Sequence, residues 1–89
     1  MAPTEWDFRN KLLAVLSAAR YKGMPYVDVE SGKLLAELGD DSKSNLRMPK
    51  CHDIMTRMMR PGDSILQETQ NGDRMTMLVR YMLKAKREN

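Results

Sequence analysis

Cys51 and His52 stand side by side in a chain with no other cysteine or histidine. A thiol and an imidazole are the ingredients of a nucleophile–base pair or of a zinc site. Both uses need side chains that converge. Neighbours on a helix point ~100° apart, from 3.6 residues per turn, so this pair shares neither an ion nor a proton. A structural zinc also needs about four ligands. Cys51 therefore reads as a small core residue, and no metal or cofactor is expected. The carboxylate pairs Glu5/Asp7, Asp28/Glu30 and Asp40-Asp41 lie near element boundaries. Capping and solvation account for them. The glycines are scattered singly and form no phosphate-cradling loop. The residue types point away from catalysis, and a non-enzyme is expected.

What remains is ionic chemistry. Residues 1–42 carry 5 Lys/Arg and 7 Asp/Glu, a net of −2, whereas residues 43–89 carry 10 and 5, a net of +5. Cations concentrated in one half are the electrostatic footprint of an anionic partner such as nucleic acid. The basic half also holds seven of the nine methionines, Met48, Met55, Met58, Met59, Met75, Met77 and Met82. Methionine fills irregular cores and also lines adaptable partner-binding surfaces.

The elements that must position these cations follow from hydrophobic spacing. Thr4 with Asp7 starts a helix as a capping box does. Phe8, Leu12, Val15, Leu16 and Ala19 recur at helical spacing up to Lys22-Gly23, so a helix is predicted over 5–22. Pro25 forces extension, and Tyr26-Val27-Asp28-Val29 alternates as a short strand. Ser31 is expected to cap a second helix through Leu38, stopped by Gly39, before a polar loop over 40–45. Pro49 suits the first turn of a third helix, predicted to run from Met48 to Arg60. Its apolar face is Met48, Cys51, Ile54 or Met55, and Met58. The opposite stripe is Lys50, Asp53, Arg57 and Arg60, with His52 and Thr56 beside it. After Pro61-Gly62 the period changes to that of strands at 64–69 and 74–83, joined at Asn71-Gly72, the strongest short hairpin signal. Met75, Met77, Val79, Tyr81 and Leu83 share one face of the second strand.

Read in order, the chain is helix, short strand, helix, helix, strand, turn, strand. Two segments, YVDVESGKLLAELG and RMPKCHDIMTRMMRPGDSILQETQNGDRMTMLVRYML, resemble the strand and second helix, and the recognition helix and β-wing, of a winged helix-turn-helix domain. The resemblance spans Glu5 to about Leu83 and rests on element order and charge placement. It implies a small α+β domain of three helices, a short strand and a C-terminal hairpin, over 1–89 with 1–4 and 85–89 frayed. It also implies that Arg47, Lys50, His52, Asp53, Thr56 and Arg57 face a DNA major groove. Arg60 would sit near the backbone, and Asn71 and Arg74 would carry the wing to phosphate. A major groove of about 12 Å admits one helix, and flanking cations add salt-sensitive affinity. The loop over 39–48 is longer than a tight helix-turn-helix turn, and Asp53 would repel phosphate unless it accepts from a cytosine amine.

The expected function is thus non-catalytic binding of double-stranded DNA by a small transcriptional regulator. The alternative is a protein-interaction module on the same scaffold, an adaptor or small inhibitor using the Met-rich, basic surface. An RNA reading lacks basic–aromatic interleaving. The 89 residues leave room for one core,, and a homodimer through the first helix would add interface. One cysteine forbids an intrachain disulfide. No run reaches the ~20 apolar residues of a membrane span, and no secretion signal opens the chain. A cytoplasmic location is the expectation.

Overall fold

The computed structural model describes residues 4–39, 48–71 and 74–83, and for Met48, Gln70, Asn71, Arg74 and Met75 only the backbone. It is a small α+β arrangement of α1 (Glu5–Tyr21), β1 (Tyr26–Glu30), α2 (Ser31–Glu37), α3 (Met48–Arg57), β2 (Ser64–Asn71) and β3 (Arg74–Met82). The strands form one antiparallel sheet in the order β1-β3-β2. No helix among the described residues is long and apolar enough to cross a membrane.

Helix α1 begins where its capping box predicts. Thr4 Oγ1 accepts the Asp7 N–H at 3.2 Å, and Asp7 Oδ2 accepts the Thr4 N–H at 2.9 Å. It ends as Gly23 takes a φ of 78°, a left-handed conformation that suits glycine,. The Gly23 and Met24 N–H groups then close on the Arg20 and Ala19 carbonyls. Its inward face buries Phe8, Leu12 and Ala19, against which Val15 and Leu16 pack half-buried.

Strand β3 is the centre of the sheet, so its alternation is the clearest in the chain. Met77, Val79 and Tyr81 are buried, and they meet Phe8, Leu12, Val29, Leu34, Leu35, Cys51, Ile54 and Met55 in one core. All three helices thus cover one face of the sheet. The phenol of Tyr81 donates to the Met55 carbonyl at 2.8 Å, pinning α3 to β3. Burial pushes that phenol's pKa well above the usual range,. On the open face Arg80 makes a bidentate contact with Asp28, at 2.8 and 3.0 Å, and its guanidinium lies 4.0 Å from the centre of the Tyr26 ring. Arg80 is held by the sheet rather than offered to a partner.

The start of α2 and the end of α3 differ from the sequence expectation, and β2 continues to Asn71 rather than ending at Thr69. Ser31 does not cap α2; Glu30 occupies the cap position without a side-chain bond. The last pair between β1 and β3 is Glu30↔Leu78, so the chain turns helical where the next residue would pair with Met77. The Ser31 hydroxyl takes that place and accepts the Met77 N–H at 3.0 Å. A buried amide without an acceptor costs more than a helix end that water can reach. Helix α3 stops at Arg57 rather than Arg60. The residue before a proline avoids the helical region, and Asp63 draws the chain aside. Asp63 Oδ2 accepts the Arg60 N–H at 2.8 Å, and its Oδ1 accepts the Met82 N–H at 2.7 Å. Between them Gly62 adopts a φ of 102°.

In strand β2 the register shifts between Ile65 and Gln67, leaving Leu66 as an extra residue and placing a bulge near the strand's start,. Beyond Leu78, β3 pairs with β2 alone. The paired segments 68–71 and 74–77 therefore extend past β1 by four residues, or about 13 Å at ~3.3 Å per residue. The turn at 72–73 and the tail at 84–89 lie outside the described residues.

Candidate nucleic-acid interface

Helix α3 sorts its residues by period. Cys51, Ile54 and Met55 point into the core, and Pro49, Lys50, Asp53, Thr56 and Arg57 are exposed. Lys50 Nζ lies 3.9 Å from Glu5 Oε2 on α1, and Arg57 Nε lies 3.1 Å from Asp53 Oδ2 one turn earlier. These pairs are solvent-exposed, so each contributes at most about 1 kcal/mol and can be exchanged for a stronger anion. Asp53 thus serves Arg57 as an exchangeable counterion. Thr56 is turned back on its own helix, donating its hydroxyl proton to the His52 carbonyl at 2.8 Å. Its oxygen keeps acceptor capacity toward solvent. Arg60 follows the helix in the turn to β2 and is exposed.

His52 does not join this face. It is 7% exposed, and its Nε2 lies 2.9 Å from Ser31 Oγ. Its position beside Cys51 and Ile54 rotates it toward α2, where an imidazole is enclosed rather than offered. Burial holds its pKa below the ordinary value of 6.5, with the Glu68 charge acting in the opposite direction. The buried Nδ1 has no hydrogen-bond partner among the described residues. The expectation that His52 reaches a groove is therefore corrected: it is a core residue linking α3 to α2 and, through Ser31, to β3.

Of the other residues singled out in the sequence, Arg47 and the side chains of Asn71 and Arg74 lie outside what the structure describes. The backbone register does place Asn71 opposite Arg74, at the far end of the projecting β2–β3 pair. Cys51 is buried and free. Among the described residues no three His, Cys, Asp or Glu side chains come together as a metal would need.

Sequence reasoning missed a second row of cations. Arg9 and Arg20 of α1 line one cleft with Arg57 and Arg60. On a helical wheel Trp6, Arg9, Leu13 and Arg20 fall within an arc of ~60°, given 3.6 residues per turn. That stripe is present in the sequence, but nothing local shows that the fold sets Arg57 and Arg60 beside it. Trp6 is 66% exposed, and the Arg9 guanidinium lies 6.0 Å from the centre of its ring.

No protein-family model matches this chain, and no curated protein or solved structure matches it.

Proposed function

We propose that this chain is a non-catalytic, double-stranded DNA-binding module of the winged helix-turn-helix kind, acting as a small transcriptional regulator. The observation that carries the reading is a pairing of two features in one bonded unit. An exposed helix face bears Lys50, Asp53 and Arg57, and a two-stranded hairpin projects four residues past its sheet. The order of elements and the β1-β3-β2 sheet support it as well. The bonds Tyr81–Met55 and His52–Ser31–Met77 hold helix and hairpin in a fixed relation.

In this reading α3 enters the major groove. Lys50 and Arg57 leave their carboxylate partners for phosphate or for the acceptor edge of guanine. Asp53 accepts from a cytosine amine, and Thr56 offers its oxygen to a base or a phosphate. Arg60 meets the backbone where the helix ends. Asn71 and Arg74 carry the hairpin to the flanking groove. Affinity then comes mostly from released counterions and must fall steeply with salt. Titrating the protein with random duplex DNA at low and high salt tests this. Binding that weakens steeply with salt is expected; no binding at low salt overturns it.

A further inference from the structure

A groove runs along the exposed side of α1, between that helix and the end of α3. Its larger part encloses about 580 Å³ over an apolar floor that includes Leu13, Met58, Met59 and Met82. Its smaller part, about 410 Å³, adds Trp6 and Ile54. The two parts share Arg9, Arg57 and Met58, so they form one continuous surface. Its rim is cationic: Arg9, Arg57, Arg20 and Arg60. Neither Arg20 nor Arg60 makes an ion pair with another described residue. Asp63 also lines the larger part, but both its carboxylate oxygens are occupied by the backbone N–H groups of Arg60 and Met82.

We infer that this groove receives an acidic amphipathic helix of a partner protein. The inference goes beyond DNA binding and does not depend on it. Charge complementarity supplies the first argument, because a rim of four arginines calls for carboxylates. The floor supplies the second. Trp6, Leu13 and Met82 are 66%, 40% and 45% exposed, and burying such side chains against apolar anchors removes apolar surface from water, which favours binding. Indole and arginine are also the side chains that most often anchor interfaces. Shape supplies the third. From Trp6 to Arg20 the stripe is ~21 Å long at ~1.5 Å per residue, the length of about four helical turns. A groove alongside a helix, with an apolar floor, accepts a partner helix through anchors at i, i+3, i+4 and i+7.

Two other occupants fit less well. A phosphate backbone has no apolar anchors for this floor. A second copy of the chain would bring the same arginines against one another across a two-fold axis. The groove is also separate from the hairpin tip. Asp63 and Met82 lie at the open end of the hairpin, whereas the Asn71↔Arg74 end is seven residues along β2 from Ser64, about 23 Å away. Arg57 and Arg60 line the groove and also belong to the proposed DNA face, so a partner helix along α1 and a duplex on α3 compete for these two arginines.

The test uses the full chain and a designed peptide of about fifteen residues, matched to the groove by helical rise. The peptide carries a Leu/Phe stripe flanked by Asp and Glu; a control replaces every acid with Lys. Trp6 is the sole tryptophan, so its emission reports occupation of the groove directly. The acidic peptide is expected to shift that emission to the blue, and the Lys peptide to leave it unchanged. Arg20→Glu and Leu13→Ser are solvent-exposed changes, and each is expected to weaken the acidic peptide at least about tenfold. Lys33→Ala, an exposed change on α2 that does not line the groove, is expected to leave it unaltered. An acidic peptide that does not bind, or binds equally to the Arg20 and Leu13 variants, overturns the inference. So does duplex DNA whose affinity collapses in those two variants, or a dimer of the free chain that Leu13→Ser dissociates.

Discussion

Ser31 Oγ lies 2.9 Å from Nε2 of His52 and at the same time accepts the N–H of Met77 at 3.0 Å. One hydroxyl thereby joins the start of α2, the buried side of α3 and the central strand. It completes the β1–β3 ladder at the point where the backbone of β1 has already turned into a helix. The geometry that carries the proposed reading face depends on this junction, because α3 and the hairpin meet there.

Replacing Ser31 with alanine removes the partner of two buried groups together. Each buried polar group left unpaired costs about 1–3 kcal/mol. Ser31→Ala is expected to lower the stability to urea by roughly 2–3 kcal/mol, with the unfolding slope unchanged. A loss below about 0.5 kcal/mol, within the range of a surface substitution, would show that the junction is not held by this hydroxyl.

The imidazole makes the junction sensitive to acid. Its pKa is lowered in the folded chain from the ordinary 6.5 by burial, so the unfolded chain takes up the proton first. Stability is then fully present above pH ~6.5 and falls as pH drops below that value toward the folded pKa. Asp28, lowered from 3.8 by its hydrogen bond to Arg80, acts in a separate window: its contribution is present above pH ~3.8 and lost below it. Urea midpoints measured from pH 8 to pH 5 are expected to fall for the wild type. They should stay level over that range for His52→Gln. A parallel fall in both proteins would assign the acid sensitivity elsewhere.

Asp63 is the other fastening. Its carboxylate accepts from the Arg60 and Met82 amides at 2.8 and 2.7 Å, closing the turn after α3 onto β3. Hydrogen bonds to a charged group contribute about 1.5–3 kcal/mol. Asp63→Ala is expected to destabilise by about 2 kcal/mol, and amide hydrogen exchange at Arg60 and Met82 should rise more than at Val79. Unchanged protection of those two amides would contradict the assignment.

Much of this architecture is legible in the sequence where one local rule decides the outcome. The capping box at Thr4/Asp7, the helical spacing of Phe8 and Leu12, and the alternation of Met77, Val79 and Tyr81 all lead to elements observed within a residue or two. The rest depends on partners distant in sequence. Ser31 reads as a helix cap because nothing near it reveals that Met77, 46 positions away, will present an amide without an acceptor. His52 reads as surface because a single polar residue on the flank of a helix carries no sign of which neighbour will cover it. The end of α3 was blurred by Met58 and Met59, which continue the apolar pattern after the backbone has been drawn off by Asp63. Arg9 and Arg20 belong to a visible stripe, but only the tertiary fold brings Arg57 and Arg60 across from it.

The most direct test of DNA binding by α3 and the hairpin is the salt dependence of affinity for duplex DNA in the wild type and in Lys50→Ala/Arg74→Ala. Lys50 does not line the groove along α1, and the backbone of Arg74 sits at the far end of the β2–β3 pair, so the result bears on the proposed DNA surface. Each phosphate contact contributes about 0.9 to the slope of log affinity against log salt. If each of these cations meets one phosphate, the double variant should bind more weakly and lose about 1.8 from that slope. A slope identical to that of the wild type would contradict the account.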